Sequence, residues 1–150
     1  MTADEEYMTV CIELAKKAAK IGECPVGAVV VNKDGDVIGR GYNMRETLQS
    51  PTAHAEILAI EQAAKALGSW RLTDCTLYVT LEPCPMCAGA CIQTHIGTIA
   101  FGAWDPKLGA CGSIWDIPRD PHIGHSPEVH GGVLEGECQS ILTDFFAQRR

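Results

Sequence analysis

Two short segments of the sequence carry side chains that could bind a metal ion. Cys84 and Cys87 lie three residues apart, one turn along the same helical face, so both thiolates can reach one ion. Helix N-termini favour thiolates, because unpaired N–H groups and the positive dipole end lower a thiol pKa. His54 can supply a nitrogen ligand from the start of another helix. One histidine and two cysteines leave the fourth tetrahedral position for water, which is typical of a catalytic zinc ion.

Glu56 lies two residues after His54 and is the candidate proton carrier. Zinc lowers the pKa of a bound water to about 7, and a carboxylate can pass the released proton to a substrate nitrogen. Positions two apart point to nearly opposite sides of an ideal helix, which has about 3.6 residues per turn. A shared role therefore requires a distorted first helical turn, which the Pro51-Thr52 start favours.

The cysteines also allow a purely structural zinc site. Cys91 follows Cys87 by four residues on the same helical face, so it could join the other three ligands in a closed Cys3His site. A closed site would leave Glu56 without a chemical role, which favours the open arrangement. The remaining cysteines are expected to be small buried hydrophobic residues: Cys11, Cys24, Cys75, Cys111 and Cys138.

The elements that must position these residues follow from hydrophobic periodicity and from turn residues. Helices are predicted at residues 5–21, 52–67, 86–94 and 135–148, with Thr52 as the N-cap of the second. Strands are predicted at residues 26–31, 37–42, 75–81 and 96–101, with a further strand near 133–134. The segment 103–132 is rich in glycine and proline and is expected to be a functional loop. This order predicts an α/β fold, one mixed sheet with helices on both faces.

Composition and charge restrict the class of protein. The chain has 150 residues, so we expect residues 1–150 to form one domain. No run approaches the roughly 18 consecutive apolar residues of a membrane helix, and the acidic start is unlike a signal peptide, which predicts a cytoplasmic protein without a membrane partner. The net charge of −7 argues against non-specific nucleic-acid binding over the whole surface, although a local basic patch is compatible with it.

The HAE segment at residues 54–56, followed by PCPMC at 83–87, resembles the signature of the zinc-dependent nucleoside and nucleobase deaminases. The flanking text narrows the resemblance to the bacterial tRNA-specific adenosine deaminases. It consists of PTAHAEI (51–57), LYVTLEPC (77–84), MCAGA (86–90) and FGA (101–103), and the resemblance extends over about residues 8–150. It implies the three-layer α/β/α cytidine-deaminase-like fold, with a mixed central sheet.

The resemblance also implies an activity and a set of roles. Enzymes of this family convert adenosine to inosine at the wobble position of a tRNA anticodon, release ammonia and work as homodimers. One zinc ion per subunit would be held by His54, Cys84 and Cys87, with Glu56 as the acid/base. Contacts to the tRNA anticodon stem-loop would come from the base-binding Asn43, from Asp105 and Lys107 on the loop, and from Phe145, Arg149 and Arg150 near the end of the chain.

The hydrogen-bonding capacity of two of these side chains suits the roles that the resemblance implies. An ionised aspartate only accepts hydrogen bonds, so Asp105 would favour a ribose 2′-OH over deoxyribose. Asn43 offers a donor and an acceptor to a purine edge. The chain departs from the family pattern at residues 124–126, where Gly-His-Ser replaces Asn-His-Arg. It also departs at Trp104 and Pro106, which are bulkier or stiffer than the residues expected on either side of Asp105.

Two other functions are compatible with the sequence. The first is deamination of a free nucleobase or nucleoside, such as guanine or cytosine, which the acidic composition favours and the long loop and cationic tail disfavour. The second is a non-catalytic zinc-stabilised RNA-binding module. Glu56 beside a complete set of three ligands argues against the module.

Overall fold

A computed structural model describes residues 1–149 as a five-stranded mixed sheet between two layers of helices. Arg150 lies outside the described residues. The helices are α1 (Ala3–Lys20), the single turn α2 (Arg45–Leu48), α3 (Ala55–Leu67), α4 (Pro85–Gln93) and α5 (Glu135–Ala147). The strands are β1 (Gly27–Val31), β2 (Val37–Tyr42), β3 (Thr76–Leu81), β4 (Thr98–Ala103) and β5 (Glu128–His130). No helix in residues 1–149 has both the length and the hydropathy needed to cross a bilayer.

The two faces of the sheet bury two separate hydrophobic clusters, because successive side chains of a strand point to opposite faces. On β1, Ala28 and Val30 pack with residues of α3 and α4 on one face. Val29 and Val31 pack with residues of α1 and α5 on the other face. The predicted mixed sheet with helices on both faces is therefore confirmed, as three layers.

Strand direction explains where the site lies. The sheet order is β2-β1-β3-β4-β5, and β1 is antiparallel to both of its neighbours while β3, β4 and β5 are parallel. Strands β2, β3 and β4 therefore share one direction and end at the same edge. Asn43 follows β2, the Glu82–Cys84 segment follows β3, and Asp105 lies just beyond β4. Ligands of open α/β sheets bind at such carboxyl ends.

The structure corrects the predicted start of one helix and the position of one strand, and it adds a helical turn. Helix α3 begins at Ala55 with His54 as its N-cap, so Thr52 lies outside it. Residues 133–134 are not a strand, because Leu134 has a φ of 50° and precedes α5, and the edge strand is β5 instead. Turn α2 was not predicted, since four residues carry too little periodicity. Of the five cysteines expected in the core, four are buried and Cys24 is half-buried.

Helix α3 lies unusually close to β2, and two glycines make this contact possible. A Cβ on Gly39 would overlap the carbonyl oxygen of Ala59, and a Cβ on Gly41 would overlap that of Ala55. Both obstacles are helix backbone, which cannot rotate away as a flexible side chain could. These glycines therefore set the distance between the sheet and the helix that begins next to His54.

We expect Gly39→Ala to lower the free energy of unfolding by about 1–3 kcal/mol or more, because the helix must move to admit the methyl group. Urea denaturation monitored by circular dichroism measures the change. Gly136→Ala in α5 is the matched control, since a Cβ there has no atom within 4 Å and alanine raises helix propensity by up to about 1 kcal/mol. Equal stability of the two variants would contradict the close contact.

Candidate active site

Two helix N-termini bring the three predicted metal ligands together. His54 is the N-cap of α3, with φ −74° and ψ 155°, and Cys84 is the N-cap of α4, with φ −75° and ψ 173°. Cys87 lies in the first turn of α4. Nδ1 of His54 is 3.7 Å from Sγ of Cys84 and 3.4 Å from Sγ of Cys87. The three donor atoms all lie within 4.8 Å of one another.

These distances fit a zinc ion. Typical bonds of about 2.3 Å to sulfur and about 2.0 Å to nitrogen, at a tetrahedral angle, separate the two donor atoms by about 3.6 Å. The observed separations of 3.4 and 3.7 Å lie on either side of this value. Sulfur and imidazole nitrogen are also donor types that bind zinc well, whereas ions such as magnesium prefer oxygen donors. The described geometry therefore suits zinc in both distance and chemistry.

The two thiols of the cluster have opposite pKa shifts: that of Cys84 is lowered, while that of Cys87 is raised because Cys87 is the donor in their shared hydrogen bond. The pKa of the Cys84 thiol is lowered to about 4, because Cys87 donates a hydrogen bond to its sulfur and His54 adds a second, against the opposing effect of burial. Cys84 is thus held as a thiolate at neutral pH, and thiolate is the form that binds zinc. Its place at the N-terminus of α4 adds the favourable end of the helix dipole.

Glu56 faces the same cluster from the first turn of α3. It is buried, with 4% of its surface exposed, and this burial raises the pKa of its carboxyl group while the nearby His54 opposes the rise. A raised carboxyl pKa suits a group that must both take up and release a proton near neutral pH. The distorted turn expected from the sequence is explained by the cap: His54 has extended backbone outside the helix, so helical spacing does not separate it from Glu56.

Cys91 does not join the ligands within the described residues. Its side chain is fully buried in the hydrophobic cluster between the sheet and α4, and its sulfur is not part of the donor group. The donor group in the described residues consists of His54, Cys84 and Cys87, so an ion held by these three would keep a fourth tetrahedral position for a non-protein ligand.

A cleft of about 600 Å³ opens over the cluster, and three of the predicted substrate contacts line it: Asn43, Asp105 and Lys107. The amide of Asn43 donates from Nδ2 to the carbonyl of Cys24 at 3.3 Å. Oδ1 of Asp105 accepts hydrogen bonds from the backbone N–H groups of Lys107 and Leu108, at 2.9 and 3.2 Å. This aspartate therefore holds its own loop in shape with one oxygen of the carboxylate.

The structure corrects the predicted contact at Phe145. This ring is buried, and the guanidinium of Arg149 lies 3.5 Å from its centroid instead of in the cleft. The neighbouring ring of Phe146 is 51% exposed and lines the cleft. Adjacent helical residues project about 100° apart, so the Phe146 ring reaches the cleft while the Phe145 ring stays buried.

Glu82 is a buried carboxylate beside the candidate site that the sequence interpretation missed. Its carboxylate is 2% exposed and accepts hydrogen bonds from the N–H groups of Asp105 at 2.9 Å, Cys111 at 3.0 Å and Ser113 at 3.0 Å. The hydroxyl of Ser113 donates a further bond. A charged residue between a hydrophobic strand and Pro83-Cys84 is the signal that could have revealed it. It joins the metal-binding turn to the loop that forms the cleft wall.

The chain matches the model of the cytidine and deoxycytidylate deaminase zinc-binding region over residues 1–103. It therefore belongs to the zinc-dependent cytidine and deoxycytidylate deaminase family. It is 51% identical to the tRNA-specific adenosine deaminase of Bacillus subtilis (strain 168), over 100% of this chain and 92% of that protein.

Solved structures agree with this family. One, from a study of A-to-I editing by tRNA:A34 deaminases at the wobble position of transfer RNA, superposes with a TM-score of 0.88 at 43% identity, over 91% of this chain and 99% of that chain. The guanine deaminase of Nitrosomonas europaea superposes with a TM-score of 0.81 at 26% identity, over 95% and 84%. The expected cytidine-deaminase-like fold is confirmed.

We expect Cys91→Ala to retain wild-type zinc content and activity, because its sulfur packs in the core. The loss of a buried group should lower the free energy of unfolding by about 1–2 kcal/mol. Elemental analysis of the purified protein measures zinc, and Cys87→Ala is the control that should lose it. Loss of zinc in Cys91→Ala would establish a closed structural site.

Proposed function

We propose that the protein deaminates adenosine to inosine at the wobble position of a tRNA anticodon, by zinc-dependent hydrolysis that releases ammonia. The observation that carries this proposal is the three-ligand cluster with Glu56 beside it, at the base of a cleft whose wall bears Asp105 and Lys107. Identity of 51% to a tRNA-specific adenosine deaminase over the whole chain supports the choice of substrate.

In the proposed mechanism, His54, Cys84 and Cys87 hold one zinc ion per subunit. When bound, the ion supplies a hydroxide nucleophile at neutral pH. The Glu56 carboxylate would accept one proton from the attacking water and pass it to N1 of the purine ring. It would then accept the second proton, from the hydroxyl group added at C6, and pass it to the amine, which leaves as ammonia; a raised pKa suits this group to both transfers. Burial of Glu56 keeps this proton from exchanging with bulk solvent.

The substrate contacts follow from the lining of the cleft. Asn43 is proposed to hydrogen-bond the edge of the flipped-out base, while Asp105 accepts from its ribose and Lys107 meets a phosphate. Phe146 replaces Phe145 as the proposed aromatic contact. Arg149 lies outside the lining of the cleft, so its proposed contact is with RNA farther along the stem-loop.

Three further features complete the proposal. Residues 1–150 act as a single deaminase domain, the protein is cytoplasmic, and it works as a homodimer. Deamination of a free base such as guanine ranks second. The guanine deaminase of Nitrosomonas europaea is 26% identical over 95% of this chain, and that of Bacillus subtilis is 42% identical over 67% of it. The structure from the tRNA:A34 deaminase study is 43% identical over 91%.

The direct test is incubation of the zinc-loaded protein with an anticodon stem-loop carrying adenosine at the wobble position. We expect inosine in the RNA by mass spectrometry, with an equal amount of ammonia. Parallel reactions with guanine, cytidine and free adenosine test the second candidate. Turnover of guanine without inosine in the stem-loop would reverse the ranking.

Glu56→Gln keeps the shape of the side chain and removes its acid/base function. We expect its rate on the stem-loop to fall by about 10²–10⁴-fold or more, since a positioned acid/base contributes roughly that factor. Its zinc content should match that of the wild type. Glu61→Gln, on the exposed side of the same helix, is the matched control and should keep full activity. An active Glu56→Gln enzyme would exclude the proposed proton transfer.

Asp105→Asn tests ribose recognition without unfolding the loop, because the asparagine carbonyl oxygen can accept the same two backbone N–H groups. We expect the preference for an RNA stem-loop over its deoxyadenosine-substituted form to fall by roughly 10- to 100-fold, as for a lost hydrogen bond to a charged group. The ratio of kcat/KM values for the two substrates measures it. Asp34→Asn in the β1–β2 turn is the control, and an unchanged ratio in Asp105→Asn would show that Asp105 does not meet the ribose.

A further inference from the structure

Trp104 presents a large aromatic surface inside the cleft. It follows directly after β4, and 43% of its surface is exposed although it lines a concave site. The other two tryptophans, Trp70 and Trp115, are exposed at 62% and 46% and do not line this cleft in residues 1–149. An indole exposed in a cleft leaves apolar area in water that a bound ligand can cover.

The inner edge of the Trp104 ring is held by the protein. Its centroid is 4.8 Å from that of Phe101, with the two planes at 90°, which is a favourable edge-to-face contact. Gly131 lies against the pair, because a Cβ there would come within 2.6 Å of Cζ2 of Trp104 and 2.7 Å of Cζ of Phe101. The absence of a side chain at Gly131 thus leaves the space in which the indole rests.

The backbone on both sides of Trp104 is also fixed. Ala103, before it, is the last residue of β4, and the N–H of Asp105, after it, donates to the buried Glu82 carboxylate at 2.9 Å. Glu82 lies two residues before Cys84, so the indole is tied to the metal-binding turn. A ring held this way loses little conformational entropy when a ligand stacks on it.

Two exposed cations share the cleft with the indole. They are Arg45 and Lys107, and within residues 1–149 neither forms a salt bridge with a carboxylate. Of the carboxylates in the lining, Glu56 and Glu82 are buried and Asp105 is half-buried. The most exposed charges of the cleft are therefore cations that can neutralise phosphates. Aromatic stacking combined with cations is how proteins bind unpaired nucleotides.

We propose that Trp104 is a stacking platform for an unpaired nucleobase next to the adenosine that is deaminated. This inference rests on the proposed function and adds a subsite to it. Every base has a π-face, so the platform contributes affinity for an unstacked loop without reading its sequence. Its contribution falls on KM, because it touches neither the zinc ligands nor Glu56.

The first experiment compares Trp104→Leu with Trp104→Phe on the anticodon stem-loop. We expect Trp104→Leu to raise KM by roughly 5- to 150-fold, the range measured for loss of one base–aromatic stack, and to change kcat by less than about threefold. Trp104→Phe, which keeps an aromatic face, should recover most of the loss. Trp70→Leu and Trp115→Leu are the matched controls and should keep the wild-type KM. A wild-type KM in Trp104→Leu would overturn the inference.

The second experiment identifies the base. Stem-loops with one abasic nucleotide at each position flanking the reacting adenosine are assayed with the wild type and with Trp104→Leu. If Trp104 stacks on one of these bases, removal of that base raises the KM of the wild type. On that abasic substrate, Trp104→Leu then has no further effect on KM. A Trp104→Leu penalty that persists on every abasic substrate would overturn the inference and leave the activity standing. A wild-type protein that makes no inosine in the intact stem-loop would overturn both proposals.

Discussion

The site depends on one constraint: two helix N-termini face each other across the edge of the sheet where β2, β3 and β4 end. His54 and Cys84 are the N-cap residues, so each leaves its helix with extended backbone and projects a donor atom towards the other. Cys87 supplies the third donor from the first turn of α4. The donors are brought together by the packing of α3 and α4 on one face of the sheet, and the contact of Gly39 with α3 fixes part of that packing. A metal ion bound there would in turn cross-link α3 and α4, between which the chain forms β3.

A second connection runs from this cluster to the wall of the cleft. Glu82 places a buried carboxylate beside the metal-binding turn and satisfies backbone N–H groups of the loop after β4. Without such a partner, the buried N–H group of Cys111 would cost about 1–3 kcal/mol. The loop that carries Trp104, Asp105 and Lys107 is therefore not independent of the chemistry. A shift at the proposed zinc ligands would move the proposed substrate contacts, and a distorted loop would strain the turn that holds Cys84.

The sequence predicted that His54, Cys84 and Cys87 form a group, and the structure places their donor atoms together. This proximity was predictable because donor type and spacing carry that information locally, while their role as metal ligands stays a prediction. The order of helices and strands was also predictable, since the long elements have clear periodicity. Three features were not. The N-cap role of His54 depends on where α3 meets β2, the choice between Phe145 and Phe146 depends on how α5 rotates against the sheet, and β5 is too short to have a pattern. Each is decided by contacts between elements that are distant in the chain.

The proposed chemistry requires a metal held by one nitrogen and two sulfur atoms of the protein, with one position open. X-ray absorption spectroscopy of the zinc-loaded protein at the zinc edge measures this coordination shell. We expect two sulfur neighbours at about 2.3 Å and two lighter neighbours at about 2.0 Å, one of them an imidazole nitrogen. Three sulfur neighbours, or a coordination shell without imidazole, would contradict it.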